Sequence, residues 1–212
     1  MIDEIIKNLL RRYPALISCQ MDIERAFGLM CECYQNKHKL LVCGNGGSAS
    51  DAEHIVGELM KSFAHIRVLP DSIKDKLKAV SPDRGSYLAS KLQPALTAIS
   101  LTCHSSLNTA FSNDVDPHLI FAQQVIGYGL EGDILMGIST SGNAENVINA
   151  LITARAKGLK TIGLTGETGG RLKEYCDVVI RVKGKETYEI QELHLPVYHA
   201  LCQMLEIYFF KN

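Results

Sequence analysis

Residues 40–63 read LLVCGNGGSASDAEHIVGELMKSF: an apolar run of strand length, a turn of small residues, then a segment of helical spacing that carries His54 and Glu58. A strand that feeds a glycine turn and a helix is the opening of a crossover unit, which joins parallel strands. The construction recurs at 133–147, DILMGISTSGNAENV. Working outward, strand-like segments fall at 39–43, 97–101, 133–138, 160–165 and 177–182. Helical segments are expected over 2–17, 20–37, 48–63, 104–112, 117–129, 143–157, 169–174 and 189–209. This alternation predicts an α/β fold, a five-stranded parallel sheet between two layers of helices. The stretch 64–95 breaks the rhythm with charge, prolines and two short helical patches but no strand, and reads as an insertion or lid, or equally as a helical hairpin at a subunit interface.

The 212 residues suffice for one domain, with helices over 1–37 as its N-terminal part, and 46% hydrophobic and 21% charged residues are the balance of an ordinary folded globule. A formal net charge of −1 gives no overall basic field, so neither nucleic acid nor an anionic membrane surface is expected as a partner. No segment approaches the roughly 18 continuous apolar residues of a membrane span. The N-terminal MIDEIIKNLLRRYPALIS mixes charge into helical spacing, unlike a secretion signal. Seven scattered cysteines then read as reduced, mostly buried thiols of a cytoplasmic protein. Cys31 and Cys33 would point about 200° apart on a helix, which argues against a shared metal.

GNGGSA formally fits the dinucleotide fingerprint with Gly44, Gly46 and Ala49. The acidic residue that should hold a ribose about 20 residues further on is missing, because the chain runs there into the proline-containing insertion. No Gly-Lys-Ser/Thr follows either, so the phosphate-loop signature is absent. What remains is a turn in which the backbone of Gly46 and Gly47, together with Ser48, approaches an anion at a helix N-terminus. In the second loop Ser139, Thr140, Ser141, Gly142 and Asn143 supply hydroxyl, amide and backbone donors. Helix capping needs one of these residues; the run holds four or five, which favours a phosphate.

His54 and Glu58, four apart, share a helix face, a spacing that suits a paired acid and base, a shared metal or a plain solvated pair. Gln191, His194 and His199 lie on the last helix, where His194 and His199 point to different sides.

Taken together, GNGGSASDAEHIVGEL, SNDV at 112–115, GDILMGISTSGNAENVINAL and IQELHLPVYH resemble the sugar isomerase (SIS) domain proteins, specifically the phosphoheptose isomerases. The resemblance covers most of the chain outside 64–95. It implies a flavodoxin-like three-layer sandwich, a homotetramer with active sites at subunit interfaces, and an aldose–ketose isomerase of sedoheptulose 7-phosphate. Moving a proton between neighbouring carbons needs a base and an acid, for which Glu58 and His199 are expected, and the resemblance implies His54, Glu58, Gln191 and His199 as ligands of one zinc ion per site. Ser48, Ser139, Thr140 and Ser141 would hold the phosphate, and Asn45 and Asp114 the sugar hydroxyls, Asp114 serving equally well as a helix cap. Positions 191 and 199 are about 12 Å apart along a continuous helix, so one metal joins them only through a bent helix start or from different subunits.

Three departures bear on the substrate. Ala144 replaces a hydroxyl after STSGN, Ser62 beside Lys61 replaces an arginine that follows the glutamate, and TYE precedes IQE. A non-catalytic SIS scaffold is the main rival, but such members lack the glutamate and the final histidine; a sugar-phosphate sensor or etherase-like lyase would lack IQELHLPVYH.

Overall fold

The structure is a computed structural model and describes residues 1–211. Five parallel strands, β1 (Leu40–Gly44), β2 (Ala98–Ser100), β3 (Ile134–Ser139), β4 (Lys160–Gly166) and β5 (Val178–Val182), form one sheet in the order β2-β1-β3-β4-β5. β1 and β3 are buried along their whole length, as parallel strands covered on both faces must be. Successive side chains go to opposite faces. Leu40, Val42, Ile134, Met136 and Ile138 join one core and Leu41, Cys43 and Leu135 the other.

The first core is closed by α1 (Ile2–Arg12), α2 (Gln20–Gln35), α3 (Gly47–Met60) and α9 (Thr187–Phe210). The second is closed by α7 (Ile120–Tyr128) and α8 (Glu145–Ala156), with α6 (Ser105–Asp114) leading into α7. The architecture is the expected three-layer sandwich.

Two boundaries differ from expectation. The helix expected over 2–17 ends at Arg12, because Pro14 forces Tyr13 out of the helical region (φ −131°, ψ 77°) and restarts the chain as a 3-10 helix, Pro14–Cys19. The helix expected over 169–174 is only the 3-10 turn Leu172–Tyr175; Gly169 and Gly170 sit at φ +74° and +50°, which no right-handed helix contains.

Residues 71–91 form two helices, α4 (Asp71–Val80) and α5 (Pro82–Lys91), hinged at Ser81. Gly85 is the buried residue at their crossing, where a side chain would strike the backbone of Leu77.

The reversal of strand order falls between β1 and β3, and the C-terminal ends of these two strands carry the two glycine loops. A doubly wound sheet binds its ligand at such a point.

Candidate active site

The loop after β1 and the loop after β3 face one cavity of about 400 Å³. Asn45, Gly46, Gly47 and Ser48 line one side, Ser139, Thr140, Ser141 and Ala144 the other, with Thr187 and Gln191 at the start of α9 between them. Gly46 adopts φ +55°, a conformation open to glycine at little cost. Gly47 is a close approach: a Cβ there would come within 2.5 Å of the Gln191 amide nitrogen.

Neither helix that opens here has a side-chain cap. Gly46 stands at the cap position of α3 and Ala144 at that of α8, and no side chain bonds back to either first turn. The missing hydroxyl at Ala144 thus leaves the start of α8 open rather than capped. Ser141 and Asn143, which a simple capping scheme would place on α8, act within their own loop. Ser141 Oγ accepts the Asn143 backbone N–H at 3.2 Å, the Asn143 amide donates to the Ser141 carbonyl at 3.1 Å, and Asn143 Oδ1 accepts the Arg171 N–H at 3.0 Å. Two helix N-termini and five hydroxyls therefore converge on one volume, an arrangement that suits a phosphate dianion. Asn45 is tied to Asn146 by two reciprocal amide bonds of 2.8 and 2.9 Å across the loops.

Asp114 is elsewhere. It ends α6, is exposed, and its Oδ1 accepts the Asn113 amide at 2.9 Å. The cap of the following turn is Asp116, which accepts the His118 N–H at 2.7 Å.

The second half of the site lies further along α3. Glu58, 9% exposed, places Oε1 at 3.1 Å from His54 Nε2 and Oε2 at 3.5 Å from Lys61 Nζ. His199, reaching across from α9, places its Nε2 at 3.5 Å from His54 Nε2. Burial first, then the neighbouring His54, hold His199 below the usual imidazole range, with Glu58 opposing. His199 also opens onto a groove of about 280 Å³ between α1 and α9 that Arg12 and Tyr13 line. Gln191 does not join this cluster: it lines the loop cavity, with α9 continuous between it and His199 despite Pro196. Among the described residues no group of three or more His, Cys, Asp or Glu stands ready to hold a metal ion. His194 is fully buried with neither ring nitrogen in a well-formed hydrogen bond, and desolvation lowers it to about 4.

Sequence reasoning missed the groups beneath the cluster. Asp51, one helical turn before His54, accepts the hydroxyl of Tyr198, next to His199, and that hydroxyl also meets His54 Nδ1. At the C-terminal end of α3, the buried Arg67 donates to the carbonyls of Glu58 (2.9 Å) and Leu59 (2.7 Å) and to Glu206 Oε1 (2.8 Å). Glu206, on α9, also accepts the N–H groups of Phe63, Ala64 and His65. A lone carboxylate in the apolar run LCQMLEIYFF was a readable signal for a buried acid; Arg67, in an irregular stretch, gave none.

Comparison with known proteins agrees with this geometry. The SIS domain family model matches residues 6–74 and 78–166. Phosphoheptose isomerase from Nitratiruptor sp. is 37% identical over 97% of this chain and 98% of its own length. That from Aneurinibacillus thermoaerophilus is 38% identical over 90% and 83%. Among solved structures, the phosphoheptose isomerase of Francisella tularensis superimposes with a TM-score of 0.73 at 30% identity, covering 97% of this chain and 96% of that one. The Neisseria gonorrhoeae enzyme gives 0.69 at 33% identity, covering 93% and 90%. With its switch-point loops, its imidazole–carboxylate cluster and these relatives, the chain belongs to the SIS domain family, on the phosphoheptose isomerase branch, and is a sugar-phosphate isomerase.

Proposed function

We propose that the protein interconverts sedoheptulose 7-phosphate and an aldoheptose 7-phosphate through an enediol. The observation that carries this reading is the meeting of His54 and Glu58 of α3 with His199 of α9, which brings Glu58 Oε1 and His199 Nε2 to within 3.5 Å of His54 Nε2. Ser48, Ser139, Thr140, Ser141 and the two open helix N-termini hold the phosphate. Glu58 removes a proton from C1 of the ketose, giving the C1–C2 enediol, and returns a proton to C2. His199 serves the oxygens, so that O2 gains the proton that O1 gives up. Burial and the neighbouring His54 hold His199 below the usual imidazole range.

Ser48 and Glu58 are about 15 Å apart along α3, and Gln191 stands with Ser48 rather than with Glu58. These separations support sites that combine loops and cluster from neighbouring subunits, in the homotetramer that the proposal includes, which would also bring Gln191 to the imidazoles of another copy. Two imidazoles and a carboxylate are donor types that zinc accepts. We extend the proposal to one zinc ion held by His54, Glu58 and His199, with Gln191 from a neighbour; when bound it supplies polarisation of the sugar's carbonyl and hydroxyl oxygens. The side chains here do not close such a site by themselves, and the proton transfers above are assigned to them alone.

The test is turnover of sedoheptulose 7-phosphate by the purified protein, by Glu58→Gln and by His199→Ala, with metal content measured before and after chelation. Both variants should lose turnover while remaining folded. Full activity in both would sink the mechanism, and a metal-free protein with undiminished turnover would remove zinc from it.

A further inference from the structure

Asp51, His54 and Glu58 occupy one face of α3, and Tyr198 of α9 lies against them, 1% exposed. The Tyr198 hydroxyl is 3.2 Å from Asp51 Oδ1 and 3.0 Å from His54 Nδ1. The His54 and Tyr198 rings meet nearly edge-on, with centroids 5.4 Å apart and planes at 72°. A phenol carries one proton to give, and the geometry directs it to Asp51 Oδ1. Among the described residues Tyr198 is the hydrogen-bond donor found for Asp51, whose other oxygen is buried without a partner. The phenol proton therefore goes to Asp51, and the phenol oxygen is left to accept from His54.

We infer that the Asp51–Tyr198 pair is a positioning device that fixes His54 as the Nδ1–H tautomer and presents a bare Nε2 to Glu58 and His199. Both remaining contacts of His54 follow from it. His199 Nε2, 3.5 Å away, becomes the donor to His54, which orients the ring assigned to the sugar oxygens. Glu58 Oε1, at 3.1 Å, faces a lone pair, so that contact is favourable when a proton or a cation lies between the two atoms. Such outer partners of imidazoles fix tautomer and ring orientation in other sites. Tyr198 touches no reacting atom and acts through His54. The inference rests on the role given to His54 beside Glu58 in the proposed function.

The experiment is long-range 1H–15N NMR of the histidine rings in the metal-free protein without substrate, at alkaline pH, with His54 assigned from the missing signals of His54→Gln. His54 should show a protonated Nδ1 and a pyridine-like Nε2. In Tyr198→Phe, checked for folding by circular dichroism, the signals should move toward the Nε2–H tautomer, and kcat should fall about tenfold or more at unchanged KM. A protonated Nε2 in the unaltered protein overturns the inference without any variant. So does an unchanged tautomer, or an unchanged kcat, in Tyr198→Phe. Because the tautomer is read without turnover, failure of the isomerase reading would show in the Glu58→Gln and His199→Ala assays and leave the NMR result standing.

Discussion

The two ends of α3 are finished in opposite ways. At its start Gly46 holds the cap position without a side chain, and the first turn faces a cavity lined by hydroxyls. At its end a buried guanidinium sits on the carbonyls of Glu58 and Leu59 and is neutralised by Glu206. Both arrangements suit the helix dipole, which favours an anion at the first end and a cation at the second. The difference is who supplies the partner. Where the protein supplies it, the helix end is sealed and Glu58 is held in place; where it does not, backbone donors remain for a ligand.

The largest effect should come from the sealed end's own acid. Glu58→Gln keeps the shape and removes the base, and kcat should fall by about 10²–10⁴-fold, with an unfolding midpoint close to that of the parent protein. Breaking the seal comes next. Arg67→Ala leaves Glu206 buried without its charge partner and should cost about 3–5 kcal/mol in urea unfolding, with kcat falling as well because the backbone under Glu58 loosens. An unchanged midpoint would show that the pair does not hold this end of α3.

His194 gives a pH-dependent effect outside both ends. Its folded value of about 4 lies below the ordinary 6.5, so the unfolded chain binds the proton first on acidification. Stability should be fully present above about pH 6.5 and decline as pH falls toward 4, by up to about 3 kcal/mol from this group. The slope of urea midpoint against pH in that window should shrink in His194→Phe. The smallest effect belongs to the open end. Ser141 Oγ accepts a bond from within its loop, which leaves its proton free for the phosphate. Ser141→Ala should raise KM about tenfold, roughly 1.5 kcal/mol, at unchanged kcat.

Those same differences explain what the sequence displayed. Strand periodicity and the two glycine loops were legible because they are local: Gly44, Gly46 and Gly142 mark the turns, and the apolar runs 40–43 and 134–138 mark buried parallel strands. Pro14 was an available signal for the end of α1, and the pair Gly169–Gly170 for the absence of a full helix after it. His54 and Glu58 were legible as a pair four apart. Their supports were not, since Tyr198 reaches α3, and Glu206 reaches the Arg67 that closes its end, from more than 130 positions away, and no periodicity encodes which residue of α9 meets which residue of that region. Gln191 shows the same limit: it sits against Gly47, a placement set by how α9 starts beside the loops.

The Arg67–Glu206 pair joins positions 139 apart in the sequence, and this constrains how such chains diverge. A substitution at either position strands a buried charge, so relatives should change the two together or not at all. A hybrid that takes its first half from one homologue and its second half from another should fold only when the two parents agree on this pair. Shuffling experiments that cross between β2 and α9 thus carry a built-in compatibility rule, readable from two residues.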